Sequence, residues 1–163
     1  MDIQEALARL TRTTIFKEWH EKNKEYYLAH AFIMLDEPNK NTWQIGFYNS
    51  SKERMVTFML TGNDVQHTED QEVLKKEGTI EKLNPSEIKI HVQQALDTAK
   101  ECLQKEYKGQ TPLKEFFIIQ NAEKHHMYNI TYFTQSLTTI NIKIDAGTGK
   151  IIKHTSQKLA DFA

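Results

Sequence analysis

A chain of 163 residues and 19.1 kDa, 39% hydrophobic and 26% charged, is long enough for one ordinary core and too apolar to stay disordered. Its 21 Lys and Arg nearly cancel its 22 Asp and Glu, so no global field recruits nucleic acid or an anionic lipid surface. The single Cys excludes an intramolecular disulfide and a multi-cysteine metal site.

The chain opens Met1-Asp2-Ile3-Gln4-Glu5, without the basic and apolar regions of a signal peptide. No apolar run approaches the roughly 20 residues that cross a bilayer; Ala31–Leu35 and Phe116–Ile119 have strand length. The expectation is a soluble cytoplasmic chain with no membrane span. Without a leader, the glycosylation patterns Asn49-Ser50-Ser51 and Asn129-Ile130-Thr131 carry little weight.

The first predicted helix runs from about Asp2 to Glu21. Ile3, Leu7 and Leu10 recur at helical spacing, and Ile15, Phe16 and Trp19 continue the face. Thr11-Arg12-Thr13-Thr14 has poor helix propensity and marks a bend or break. Strand patterns follow at Leu28–Leu35, Thr42–Tyr48 and Met55–Leu60, with a weaker one near Val65. Turn residues separate them at Glu37-Pro38-Asn39, Asn49-Ser50-Ser51 and Gly62-Asn63-Asp64. The charged linker Glu69–Leu83 has Gly78 as its breaker and room for an extra strand at Thr79–Leu83.

A second helix is predicted from Asn84 as N-cap and Pro85 as its first residue. Ile88, Val92, Ala95, Ala99 and Leu103 form its apolar stripe, and Gly109 and Pro112 punctuate its end. The strands expected next are Leu113–Gln120, Tyr128–Thr134, Thr139–Asp145 and Ile151–His154. Ile140, Ile142 and Ile144 alternate with Asn141 and Lys143, as in a sheet with one wet face.

Helix then strands thus occurs twice. A shift of 85 (88 − 3) places Ile3 on Ile88, Leu7 on Val92, Leu28 on Leu113, Ile33 on Ile118, Trp43 on Tyr128, Ile45 on Ile130 and Phe47 on Tyr132 without a gap. A slip of one residue then places Val56, Phe58 and Leu60 on Ile140, Ile142 and Ile144. The expected fold class is α+β: two duplicated units, 1–68 and 84–157, each a helix on an antiparallel sheet, joined by the linker 69–83 and followed by a tail, 158–163. One such unit alone has a marginal core, so two that join gain burial.

The stretch from Ile140 to Ile152, with its turn Asp145-Ala146-Gly147-Thr148-Gly149, resembles the PepSY family. The second half looks like one PepSY unit, related to the cystatin-like arrangement; the first looks like a degenerate copy, with Leu60–Val65 where the turn would be. The resemblance implies binding rather than catalysis, because PepSY units accompany secreted peptidases and have been proposed to inhibit or regulate them. The residues of the turn read as structural: Gly149 supplies positive φ, Gly147 does likewise, and the Asp145 carboxylate accepts from loop amides with support from Thr148.

The search for chemistry finds no catalytic, metal or cofactor residues. Gly147-Thr148-Gly149-Lys150 lacks the earlier Gly and the following Ser or Thr of a phosphate loop. His20-Glu21 has no second His four residues on, and adjacent His125 and His126 point to opposite faces if in a strand and to solvent if in a turn, neither of which makes a chelate alone. Cys102 lies near the Leu103 face of its helix, where a buried thiol is inert. Trp43 and Tyr48 fall on opposite faces by parity, so one is expected to be exposed. The expected function is a non-enzymatic binding module that meets a protein or peptide, a peptidase among others, through its sheet face or edge. A small-molecule-binding or enzymatic cup is the alternative.

Overall fold

Thr13 divides the amino-terminal helical stretch at the predicted weak point. The computed structural model, which describes residues 1–73 and 79–162, has α1 at Ile3–Arg12 and α2 at Thr14–Lys22, with Thr13 extended between them. The Thr13 hydroxyl donates to the Leu10 carbonyl at 2.7 Å and accepts from the Phe16 amide at 3.3 Å. One side chain therefore closes α1 and caps α2.

The second long helix starts later than its sequence predicts. Asn84 accepts from the Ser86 amide at 3.1 Å and Pro85 follows it, but this pair opens only a 3-10 turn, Pro85–Glu87. The helix α3 is Val92–Glu106. Tertiary bonds explain the delay: the Lys89 and Ile90 amides both donate to the Ala146 carbonyl, at 2.8 and 3.1 Å, and pull the chain straight. Ile88 enters the core from ahead of the helix, while Ala95, Ala99 and Leu103 keep the predicted stripe. The opening amide of α3 is capped from the far end of the sequence. The Asp2 carboxylate accepts from the Val92 amide at 2.8 Å and meets His91 Nδ1 at 2.6 Å.

The strands are β1 (Tyr27–Met34), β2 (Thr42–Asn49), β3 (Arg54–Thr61), β4 (Asp64–His67), β5 (Gln71–Glu72), β6 (Pro112–Ala122), β7 (His125–Thr134), β8 (Thr138–Asp145) and β9 (Ile151–Lys158). They form one sheet in the order β4-β3-β2-β1-β6-β7-β8-β9, with β5 also on β3, and every pairing is antiparallel. The first strands of the two halves, β1 and β6, pair with each other. An α+β architecture is therefore what the chain adopts. The apolar face of the sheet, including Ile33, Ile45, Phe58, Phe117, Ile130 and Ile142, shares one core with Ile3 and Leu10 of α1, Phe16 of α2 and Ala95 and Ala99 of α3. No helix among the described residues is long and apolar enough to cross a membrane.

Two expectations about this sheet need correction. No strand forms at 79–83: β6 covers the edge of β1 from His30 to Met34, and along the short stretch of β1 before His30 the segment is tied by single bonds such as Leu83 amide to Leu28 carbonyl at 2.9 Å. Residues 74–78 of the expected linker lie outside the described residues. Trp43 and Tyr48 do lie on opposite faces, yet they are 1% and 0% exposed. Tyr27 packs edge-on to Tyr48 at 5.8 Å and donates its hydroxyl to the Ile80 carbonyl, so the returning chain closes that end of the second face.

The ungapped shift fails in the first strand. Leu28 is buried and Leu113 is 54% exposed, and Ala31 and Ile33 share their phase with Phe117 and Ile119 instead. The path from Ala31 to its partner Ile45 is one residue longer than that from Phe117 to its partner Ile130, which moves the correspondence by one. Ile3 and Ile88 also occupy different elements. Elsewhere the registers agree: Ile45 faces Phe58 as Ile130 faces Ile142, and Phe47 faces Val56 as Tyr132 faces Ile140.

Candidate functional site

The turn that joins β8 to β9 is built as its residue types predict, with one exception. Asp145 Oδ1 accepts from the amides of Gly147 at 2.9 Å and Thr148 at 2.8 Å, and Thr148 Oγ1 accepts from the Lys150 amide at 3.3 Å. Gly149 has φ +80°, whereas Gly147 needs no positive φ. Burial pushes the Asp145 carboxyl up, but the Thr148 amide, His125 and the Gly147 amide outweigh it and hold the carboxyl below its ordinary value. Asp145 Oδ2 lies 3.2 Å from His125 Nδ1, while His126 Nε2 accepts from the Asn84 amide at 3.1 Å. Each histidine is thus tied to a different part of the fold. Among the described residues no cluster of His, Cys, Asp and Glu is arranged to hold a metal.

Beyond this turn lies β9, which ends the sheet. It pairs with β8 from Ile151 to Lys158, and among the described residues no strand pairs with its outer side. The Leu159 amide donates to the Leu137 carbonyl at 2.8 Å, continuing the register in which Lys158 faces Thr138. Antiparallel ladders bond at alternate residues. Gln157, Thr155 and Lys153 therefore turn their amides and carbonyls to β8, and Lys158, Ser156 and His154 turn theirs to the open edge. His154 faces Ile142 and is held on the helix side by the Tyr107 hydroxyl at 2.7 Å. A shallow groove of about 490 Å³ runs between α3 and β9, past Glu101, Cys102 and His154. Cys102 is buried, and burial pushes its thiol up, so it is a packing residue.

A third feature was not anticipated. A cleft of about 550 Å³ opens between α3 and the start of β6. Leu96, Lys100 and Tyr107 line its helix side, Pro112 its end, and Glu115 and Tyr132 its floor. Glu115 and Tyr132 are direct cross-strand partners. Glu115 shares the strand parity of Phe117 and Ile119, so a carboxylate stands in the row that otherwise feeds the core. Burial pushes its pKa up, against the opposing influence of the Tyr132 hydroxyl and the Lys100 charge. The signal was present in the alternation Leu113, Glu115, Phe117, Ile119: one acid among apolar residues of one parity.

No family model and no curated protein matches the chain. Among solved structures it is similar to a "putative lipoprotein" of Clostridium difficile 630, with a TM-score of 0.58 and 15% identity over 88% of this chain and 90% of that one. At that identity the likeness concerns the fold alone.

Proposed function

We propose that this chain is a non-enzymatic binding module that takes an extended segment of a protein partner as an added strand on β9. The observation that carries the reading is the open edge of eight residues, with the amides and carbonyls of His154, Ser156 and Lys158 unpaired by any strand among the described residues. Strand addition uses such groups for affinity and the alternating side chains beside them for selection. Residues 146–160 carry Lys150, Lys153 and Lys158 and no Asp or Glu. Lys153 also stands opposite Lys143, which is already matched by Glu123 at 3.2 Å. An acidic segment complements this edge, whereas a second copy of β9 would set lysines against lysines. A peptidase regulated in this way is the partner class that the resemblance of Ile140–Ile152 to PepSY units implies.

The same reading takes the two halves as a tandem duplication of PepSY-type, cystatin-like units. Its support is the strand order, symmetric about the β1–β6 seam, and the shared register of β2–β3 and β7–β8.

Ser156→Pro tests the edge, because proline there removes an outward amide and leaves the β8 bonds in place. A displayed library of extended peptides, selected on the folded chain, is expected to yield acidic sequences that lose binding to the Pro variant at an unchanged unfolding midpoint. Selection that yields nothing, or peptides that bind both forms alike, would overturn the reading.

A further inference from the structure

We propose that the cleft between α3 and β6 is a second binding site, which takes a primary ammonium ion on an aliphatic body with its charged head on the Glu115 carboxylate. This goes beyond the edge-strand reading and does not depend on it. The geometry begins with the floor. Glu115 is a carboxylate at a core-facing position, and its cross-strand neighbour Tyr132 is 2% exposed. Among the described residues none stands within ion-pair distance of the carboxylate. Glu115 is half-buried, with the Tyr132 hydroxyl as its neighbour and the Lys100 charge acting on it without an ion pair, so no counter-charge is seated on the carboxylate and a cation that supplies one offsets part of the cost of its burial.

The walls select the body of the ligand. Leu96, Tyr107 and Pro112 give an apolar lining, and about 550 Å³ suits a small molecule. The floor selects its head. An ammonium donates three hydrogen bonds and needs acceptors, which the oxygens of the half-buried Glu115 carboxylate provide, while the Tyr132 hydroxyl is buried behind them. An anionic ligand would place like charge against Glu115 in a desolvated site. Lys100 lies at the wall and its charge reaches Glu115 from a distance. It therefore competes with the ligand, and the Asp97 carboxylate three residues earlier on the same helix offsets part of its field.

The probes are n-hexylamine, hexan-1-ol and hexanoate, titrated into the full chain and followed by amide chemical shifts. Nα-acetyl-lysine methylamide tests whether the ammonium comes from a protein side chain rather than a free amine. Hexylamine is expected to give saturable shifts around Leu96, Gln110 and Glu115, with hexanol and hexanoate weaker by at least about tenfold. Glu115→Gln should weaken hexylamine by about tenfold or more at an intact unfolding transition. Lys100→Gln should tighten it, a gain that damage to the fold cannot imitate. Saturation by the lysine derivative as well assigns a protein lysine as a source; saturation by hexylamine alone assigns a free amine. The proposal fails if no ammonium saturates the cleft, if hexanol binds as well as hexylamine, or if Glu115→Gln leaves the affinity unchanged. None of these outcomes bears on Ser156→Pro, so the two readings fail separately.

Discussion

The two halves of the sheet follow one strand order with different chemistry. The first half packs rings: Phe16 and Trp19 of α2 meet Phe47 and Phe58 at centroid distances of 5.0 to 5.5 Å. The second half packs a small-residue stripe, Ala95 and Ala99, over the isoleucine layer Ile140, Ile142 and Ile144. Large rings fill the space between α2 and strands β2 and β3, whereas alanines let α3 come close to branched side chains. The edges differ as well. The first half ends in the interrupted pieces β4 and β5, whose stretch Asp64–Glu72 bears Asp64, Glu69, Asp70 and Glu72 and no Lys or Arg. The second half ends in the unbroken β9, with lysines and no acids. Equivalent places in a strand order thus carry an interrupted, acidic edge on one side and a continuous, basic edge on the other.

The largest expected effects test whether the halves are one cooperative body. Phe58→Ala should cost about 3–5 kcal/mol and Ile142→Ala about 2–5 kcal/mol. Because β1 and β6 join the halves, both variants should move a single denaturant midpoint with an unchanged m-value. Two separated transitions would break the comparison into independent domains.

Next comes the turn that distinguishes the second half. Gly149→Val meets positive φ and a Gln94 side chain 3.0 Å from the new Cβ, and should cost on the order of 1–3 kcal/mol. Gly62→Asn, at φ +59° in open space, should cost much less, since asparagine tolerates that region. Equal losses in chemical denaturation would remove the contrast between the two turns.

Asp2→Ala should cost about 0.5–2 kcal/mol, although Asp2 is remote in sequence from the helix that it caps. If the loss is a cap, amide exchange should quicken first at Val92–Gln94. Protection unchanged there would show that the halves are held by the seam alone.

The smallest effects concern pH, and they have opposite signs. In Asp2, burial raises the carboxyl but the Val92 amide and His91 outweigh it, so its folded pKa is depressed, as is that of Asp145. Both carboxylates stabilise the fold above their unfolded pKa of about 3.9, and that stability is lost as pH falls through the depressed folded values. Glu115 is raised by burial, so its ionised form disfavours the fold and its protonation favours it. Glu115→Gln should therefore raise the midpoint slightly at neutral pH, with the gain fading as pH falls toward about 4.3. Denaturant midpoints across the acid range would check both; a midpoint lowered by Glu115→Gln at neutral pH would remove the destabilising role.

What the amino-acid sequence determined by itself was local. Alternation at Ile140, Ile142 and Ile144, the break at Thr13 and the Asp145 turn depend on periods and side-chain reach within a few residues, and each is present, save that Gly147 does not take the positive φ expected of it. Tertiary structure decided whatever depended on a distant partner. Asn84 and Pro85 are good opening residues for a helix, but bonds to Ala146 delay α3 to Val92. The segment at 79–83 did not become a strand, because β6 leaves it only the short stretch of β1 before His30, where Leu83 bonds to Leu28. Tyr48 was buried by the chain crossing at Ile80. Glu115 was legible only as an acid in an apolar register, since its cleft exists where α3 leaves the floor of β6 uncovered. The union of both halves in one sheet was likewise beyond the sequence. Pairing between β1 and β6 is a contest among free edges, and a strand's own residues do not record which edges the rest of the chain leaves free.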